Sequence, residues 1–453
     1  MMPRRVDAGG PAAGSPAGAS PAEERPGGGR GGFMALALTQ AASTVGSMMT
    51  GVAVGFAVYG ETGSAAPLLL YAFFLELPAM AFGTLAGALV DRGDPRRMAI
   101  LADAGQAVAS AILAAAFLSG GFRIWMLYAL ALAQGAFAAL QAPARELFVA
   151  RLVRDEGRDR ANAILAAAHP VAGMLAPALA GILYPLIGLG GVVIVDLASF
   201  AAAALGMAAA GAAGPGGDGG LGGPPGPETL RPPGLFASLA EMARFIRGPG
   251  RALGALLLWS AALNFFLNGP LELALPYAVE RGGSEAAAGL ALALQGAGGV
   301  VGSAALTLRM RSRSRIASLR LGMAAAGLFM VAAGLARSAL GVGLALGATV
   351  ACLQLWSRFT SIYQAAAPEG MGGRVLALAG QLGFLGSTAS FALCARLAER
   401  YAATMVPGEP WALGFAFGSG PGSAMAALLA LAGLCVAASS CLIGLVPGLR
   451  RFR

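Results

Sequence analysis

The sequence predicts an all-α membrane protein of twelve transmembrane helices, arranged as two bundles of six with both termini in the cytoplasm. Three observations lead there. The 453 residues are 57% hydrophobic and only 12% charged, with a mean hydropathy of +0.71, whereas a soluble domain carries about 25% charged residues. The solvent of most of this chain is therefore lipid. From Phe33 onward long apolar segments alternate with short polar ones, and a helix needs about 20 residues to cross the hydrocarbon. The basic residues, finally, are sorted by side.

Residues 1–32 are rich in Gly, Pro, Ala and Ser and hold no apolar run. A disordered cytoplasmic tail without a signal-peptide core is expected there. Hydropathy then places spans at 33–59, 66–90, 97–119, 124–144, 161–187 and 190–212, and after a break at 251–279, 286–307, 316–336, 339–366, 374–398 and 421–447. The break centres on GPGGDGGLGGPPGPETLRPPGL, Gly214 to Leu235, which offers a packed core nothing and reads as a linker. After it, ASLAEMARFIRGPGR spaces apolar residues helically around Arg244 and Arg247. That suits an amphipathic helix on the inner membrane face, or simply the start of the seventh span. The organisation expected is tail 1–32, first bundle 33–212, cytoplasmic linker 213–250, second bundle 251–447 and basic tail 448–453.

All 31 basic residues are arginine. With the N-terminus inside, only Arg123, Arg281, Arg337, Arg396 and Arg400 fall outside and Arg358 falls within a helix; every other arginine is cytoplasmic, the bias that orients membrane proteins. Moving the count of spans by one destroys the asymmetry. The net charge of +9 therefore reads as topology, and no nucleic-acid partner is expected. Tyr59, Trp125, Tyr184, Tyr277, Tyr401 and Trp411 lie near outer helix ends, where amphipathic rings favour the interface. Arg145, Glu156 and Gly157 recur at the same spacing as Arg358, Glu369 and Gly370, which suits two parallel halves.

Composition also excludes chemistry. A chain without lysine has no P-loop lysine, so it is not itself a Walker-type ATP pump. The single histidine, His169, leaves no cluster of metal ligands, and no metal or cofactor is expected. Cys352, Cys394, Cys435 and Cys441 sit in apolar runs without CxxC spacing and read as small core residues without disulfides.

An ionisable group inside the membrane costs several kcal/mol unless paired or wet, so each is a functional candidate. These are Glu76, Asp103, Asp196, Glu272 and Arg358. Asn264, Asn268 and Glu272 fall at i, i+4 and i+8 and form a polar stripe. Only a carboxylate that exchanges its proton between the two faces can couple transport to protons; Glu272 comes first and Glu76 second, the alternative for Glu272 being a wet position near the outer end. Asp196 reads as an acceptor for helix packing, Arg358 as a gate or ion-pair residue, and His169, before Pro170, as part of a kink. Gly296, Gly298, Gly299 and Gly302 resemble a small-residue packing face. A cavity lined by Gln40, Gln295, Phe265, Phe266 and Leu267 is mostly apolar and suits amphipathic, drug-like substrates more than sugars.

The loop after the second span reads Gly87-Ala88-Leu89-Val90-Asp91-Arg92-Gly93-Asp94-Pro95-Arg96-Arg97. It resembles the GxLaDrxGrr signature of the major facilitator superfamily, departing from it at Asp94 and Pro95. The form D-R-x-D-x-R-R is similar to the drug:proton antiporter branch that includes macrolide-efflux and enterobactin-exporter proteins. Further similar segments are Gln40, Ser43 and Gly46; ELP with Gly83 and Gly87; Asp103; RANAI at 160–164; APALAGIL at 176–183; VDLASF at 195–200; LPYAVE at 275–280; and PEGMGGRV at 368–375. The RxxQG signature of many proton-linked antiporters appears as Ala131 to Gln134-Gly135, without its arginine.

The resemblance implies the superfamily's fold and a cytoplasmic gate in which Gly87 permits close approach and Asp91 meets the start of the eleventh helix near Gly373 and Arg374. Arg92, Arg96, Arg97, Asp103 and Arg145 would be its partners, with Arg358 also at the gate; the three loop arginines read equally as topology determinants facing anionic lipid. Substrate or proton coupling would fall to Gln40, Glu76, Asn264, Asn268, Glu272 and Gln295. The chain is thus expected to be a monomeric secondary transporter of the bacterial inner membrane, working by alternating access and exporting a hydrophobic or amphipathic small molecule against protons, with membrane lipid its surroundings. Alternatives are an uptake permease or lipid transporter of the same fold and, from a different class, a membrane-embedded enzyme.

Overall fold

A computed structural model describes residues 28–152, 155–213, 248, 250–308, 314–367, 372–404, 414–417 and 421–446. Residues 28–32 of the expected tail 1–32 are a correction, because the first helix begins at Gly28 and extends the apolar run by a turn; residues 1–27, the basic tail 448–453, nearly all of the linker 213–250 and the amphipathic segment around Arg244 and Arg247 lie outside the described residues. Among the described residues the regular structure is entirely helical, and eleven helices are long and apolar enough to cross a membrane.

The first four are α1 (Gly28–Thr62), α2 (Ala66–Arg92), α3 (Pro95–Leu118) and α4 (Ile124–Leu152). The two spans expected next form one stretch, α5 (Asp155–Ala213), whose apolar segment Ala167–Ala209 runs for 43 residues. It is interrupted at Gly188, where φ is 65° and ψ −179°. Only glycine enters that region without a steric penalty, so the chain kinks there and α5 has two limbs, 155–187 and 189–213.

The seventh expected span is also divided, into α6 (Arg251–Glu272) and α7 (Ala274–Gly282). Pro270 lies in the last turn of α6, where its missing N–H and its ring disrupt the helical ladder. Then come α8 (Glu285–Leu308), α9 (Arg315–Leu335), α10 (Ala339–Leu353), a 3-10 turn at Gln354–Trp356, α11 (Ser357–Ala366), α12 (Gly372–Thr404), α13 (Gly414–Phe417) and α14 (Pro421–Leu442).

Local chemistry fixes several starts. Asp94 accepts the N–H of Arg96 at 2.9 Å and Pro95 takes the first helical position, so the two residues that depart from the loop signature build the N-terminus of α3. Ser314 and Ser338 cap α9 and α10 in the same way.

Packing follows small residues. Within the first bundle α1 lies along α5, while α2 and α3 lie against α4; within the second, α6 meets α12, α8 meets α10 and α9 meets α14. Buried alanines such as Ala102, Ala131, Ala176, Ala326 and Ala333 fill the interior, and large apolar residues such as Leu118, Leu186, Leu205 and Leu321 are exposed, as lipid requires. The four cysteines are free, with Cys394 buried and Cys441 exposed.

Across the bundles α5 packs on α8. The approach is backbone to backbone: a Cβ on Gly296 would stand 2.0 Å from the Gly173 carbonyl oxygen, and one on Gly289 would stand 2.5 Å from the Pro177 carbonyl and 2.7 Å from Gly181 Cα. Gly296→Ala should therefore cost about 1–3 kcal/mol through overpacking. Gly299→Ala, whose Cβ meets nothing nearer than 3.6 Å, should be close to neutral. Thermal unfolding in detergent compares the two, and equal melting would remove the glycine seam from the packing account.

Candidate functional site

A cavity of about 870 Å³ lies between the bundles. From α1 it takes Gln40, Ser43, Thr44, Ser47, Gly51 and Gly55, residues three or four apart that share one face of a helix with 3.6 residues per turn. Tyr71 and Leu75 come from α2, Gln106 from α3, Gln141 and Arg145 from α4, and Leu165, His169, Gly173 and Pro177 from the first limb of α5. The second bundle supplies Glu272 from α6, Leu275 from α7, Leu292, Gln295 and Gly296 from α8 and Val350 from α10.

The charged groups are placed asymmetrically. On the first bundle Asp103 is buried and accepts a hydrogen bond from Gln141 Nε2. Arg145 stands close enough for its charge to act on both Asp103 and His169. Asp103 Oδ2 and Gln40 Nε2 are buried without a hydrogen-bond partner among the described residues. On the second bundle Glu272 is exposed to the cavity and feels the charge of Glu76 on α2. A cavity of this size with apolar walls, a few amides and opposite charges from its two sides fits a small molecule that is largely apolar and carries polar groups.

The family model of the Major Facilitator Superfamily matches residues 36–391. The chain belongs to the major facilitator superfamily. It is 26% identical over 169 residues to macrolide efflux protein A of Streptococcus pyogenes, a stretch covering 37% of this chain and 42% of that protein. In fold it is similar to a bacterial homologue of the human lysosomal transporter Spinster in an inward-facing, unoccupied conformation, with a TM-score of 0.66 at 17% identity over 95% of this chain and 98% of the other. It is also similar to a bacterial homologue of the iron transporter ferroportin in an inward-facing state, with a TM-score of 0.60 at 16% identity over 90% and 98%. The protein is thus a multi-pass membrane transporter, not an enzyme.

In this superfamily member the expected site residues fall into separate groups. Gln40, Gln295, Arg145 and Glu272 line the cavity, Asp103 adjoins Arg145, and Glu76 is exposed beside it. The gate is divided. Arg96 donates through Nη2 to the Ala208 carbonyl at 2.9 Å, near the end of α5, and Arg97 pairs at 3.4 Å with exposed Asp94. Arg358 is half-buried at the start of α11. The side chains of Gly87, Asp91, Arg92 and Arg374 lie outside the described residues.

The expected stripe on α6 is shared between two pockets. Asn264 and Asn268 line a smaller pocket of about 170 Å³ with Leu267, Leu353 and Trp356, and Asn268 donates to Ser387 on α12. Each four-residue step overshoots a helical turn by about 40°, so Glu272 lies about 80° round the helix from Asn264. Phe265 and Phe266 do not reach the main cavity either; their rings meet edge to face 5.1 Å apart. Conversely His169, expected at a kink, faces the cavity. The polar face of α1 beyond Gln40 was readable from its spacing, as were Gln134, which bridges Tyr71 and Ser110, and Gln141.

Two expected interface aromatics are instead internal. Tyr277 is fully buried and its hydroxyl meets the carbonyls of Ala333, Gly334 and Ala336, each at 3.1 Å. Tyr59, also buried, donates to Glu280 Oε1 at 2.7 Å, a hydrogen bond from α1 to α7 across the bundles. Each hydroxyl has found an internal acceptor, which outweighs the pull of the interface. Tyr59→Phe should weaken closure at this end by about 0.5–1.5 kcal/mol, while Glu280→Gln keeps an acceptor and should change less. Spin labels on the ends of α1 and α7 should report longer distances in Tyr59→Phe; an unchanged distribution would remove the bond from the closure.

Proposed function

We propose that the protein is a proton-coupled exporter of a hydrophobic or amphipathic small molecule, working by alternating access as a monomer in a bacterial inner membrane. The observation that carries this reading is the cavity, bordered by both bundles and by the glycine seam, with apolar walls interrupted by Gln40, Gln295, Arg145 and Glu272. Twelve spans with both termini cytoplasmic fit it, because the 43-residue apolar stretch of α5 is about twice what one crossing needs and kinks at Gly188. With that orientation the Tyr59–Glu280 bond and the Gly181–Gly289 contact lie toward the outside, the conformation faces inward, and a lipophilic substrate enters from the cytoplasmic half. Export is supported by the likeness to macrolide efflux protein A.

Glu272 is the proton carrier in this scheme. It faces the cavity where a cationic or polar substrate group competes with the proton, and its nearest like charge, Glu76, belongs to the opposite bundle. Rocking of the bundles alters the distance between the two carboxylates, and with it the stability of the charged form. Asp91 latches the cytoplasmic side, the role the loop signature implies.

In everted membrane vesicles with an imposed proton gradient, the wild type should accumulate a lipophilic dye or macrolide. Glu272→Gln should leave transport down a substrate gradient intact but abolish its dependence on the proton gradient; unchanged dependence would take Glu272 out of the mechanism. Asp91→Asn should reach the membrane at normal levels yet transport about tenfold more slowly, the equivalent of about 1.4 kcal/mol. Full transport by that variant would refute the latch, and net uptake of the dye by intact cells would refute export.

A further inference from the structure

A second polar cluster lies beside the cavity, between α1 and the second limb of α5. Asp196 is 1% exposed and Thr50 5% exposed, and Ser47 and Ser199 complete the group. Gly46 lets it close tightly: a Cβ there would come within 2.5 Å of Ser199 Oγ and 2.8 Å of Asp196 Oδ1. The sequence suggests a carboxylate that merely accepts hydrogen bonds for packing.

The distances fit something else. Ser199 Oγ donates to the Asp196 carbonyl at 2.7 Å, which engages its proton. The same oxygen lies 3.3 Å from Asp196 Oδ1, and Ser47 Oγ donates to Oδ1 at 3.3 Å, both long beside the usual length of about 2.7–2.8 Å for an O–H···O bond. Ser199 and the carboxylate therefore face each other acceptor to acceptor. The Thr50 hydroxyl is a weak hydrogen-bond neighbour of the same carboxylate, beyond the reach of a normal bond, so Thr50 Oγ1 and Asp196 Oδ2 have no close partner among the described residues. Buried, unmatched oxygens of this kind are costly. Converging hard oxygens with an excess of acceptors are the donor set of a hard cation. Oxygens about 2.4 Å from such an ion stand about 3.4 Å from their neighbours in an octahedral set, close to the separations seen here.

We propose that Asp196, Ser47, Thr50 and Ser199 form a sodium-ion site in the first bundle. One carboxylate balances one positive charge, which disfavours divalent ions, whose sites gather more carboxylates. The tight closure at Gly46 favours sodium over the larger potassium. Ser47 and Gly51 line the main cavity and give the ion its path from water. The inference goes beyond proton coupling through Glu272 and rests on the transporter reading only for what the ion is coupled to, because binding is measurable without transport.

The test is thermal unfolding of the full-length protein in detergent, at fixed pH and ionic strength, with sodium, lithium, potassium or choline chloride. Sodium and lithium should stabilise the wild type saturably, while potassium and choline should not. Asp196→Asn should abolish the effect, and Thr50→Val and Ser47→Ala should each raise the half-saturating sodium concentration about tenfold. Should Asp196→Asn fail to fold, the near-isosteric Thr50→Val decides. Equal stability in sodium and choline, or a sodium effect unchanged in Thr50→Val, overturns the site. So does a stability that follows pH alone and ignores sodium, which would give the carboxylate a proton instead. Dye export in vesicles is read independently, so a failed site and a failed transport reading are distinguishable.

Discussion

Helices in lipid gain little by hiding apolar side chains from one another, because the acyl chains are as apolar as leucine. What joins the two bundles is how closely their backbones approach, and glycine decides that. Gly296 against the Gly173 carbonyl and Gly181 against Gly289 bring α5 and α8 to distances that a side chain at 181, 289 or 296 would not permit. Gly173, Pro177 and Gly296 also line the cavity, so the seam is the cavity's edge. In the proposed alternating-access cycle, the contacts that hold the bundles together would also set where they part.

The cavity in turn governs where charge is tolerated. Arg145, His169 and Glu272 line it, and Asp103 adjoins Arg145, which spares them the cost of standing in lipid. The Arg145 guanidinium of the first bundle and the Glu272 carboxylate of the second border one space. Relative movement of the bundles therefore changes the electrostatics of the cavity without any helix having to unfold. Its volume, about 870 Å³, falls among those of drug-sized sites, about 300–1,000 Å³.

Much of this was legible in the sequence because lipid imposes length and sidedness on every span. Among the described residues eleven apolar helices lie along the stretches that hydropathy marked, the fifth and sixth expected spans running together in α5, and the family resemblance read from the loop after the second span agrees with the family match. Lateral neighbours were not legible. A helical period says which residues share a face, but in lipid both the buried and the exposed face are apolar, so Phe265 and Phe266 looked like cavity residues while Tyr59 and Tyr277 looked like interface anchors. The pairing of Tyr59 with Glu280 joins positions 221 residues apart, and that of Ser47 with Asp196 joins positions 149 apart. Only the packing of α1 reveals either. Nor was it legible that the stripe on α6 divides, with Glu272 lining the main cavity and Asn264 and Asn268 the smaller pocket.

The two sides of the cavity differ in helical continuity. α1 runs unbroken from Gly28 to Thr62 and carries three polar stations: Gln40 beside the Asp103 group, Ser47 and Thr50 beside Asp196, and Tyr59 against Glu280. One continuous helix links these stations, so a displacement of α1 is shared among them. Opposite it, α6 ends at Glu272 and α7 begins at Ala274, with Leu273 between them. Large changes of backbone angle concentrate at such element ends. Glu272 therefore stands at a joint whose far arm bears Glu280, the partner of Tyr59. A change of charge at Glu272 acts at a break between two helices, and the hydrogen bond beyond that break is anchored on α1, which is continuous from Gly28 to Thr62.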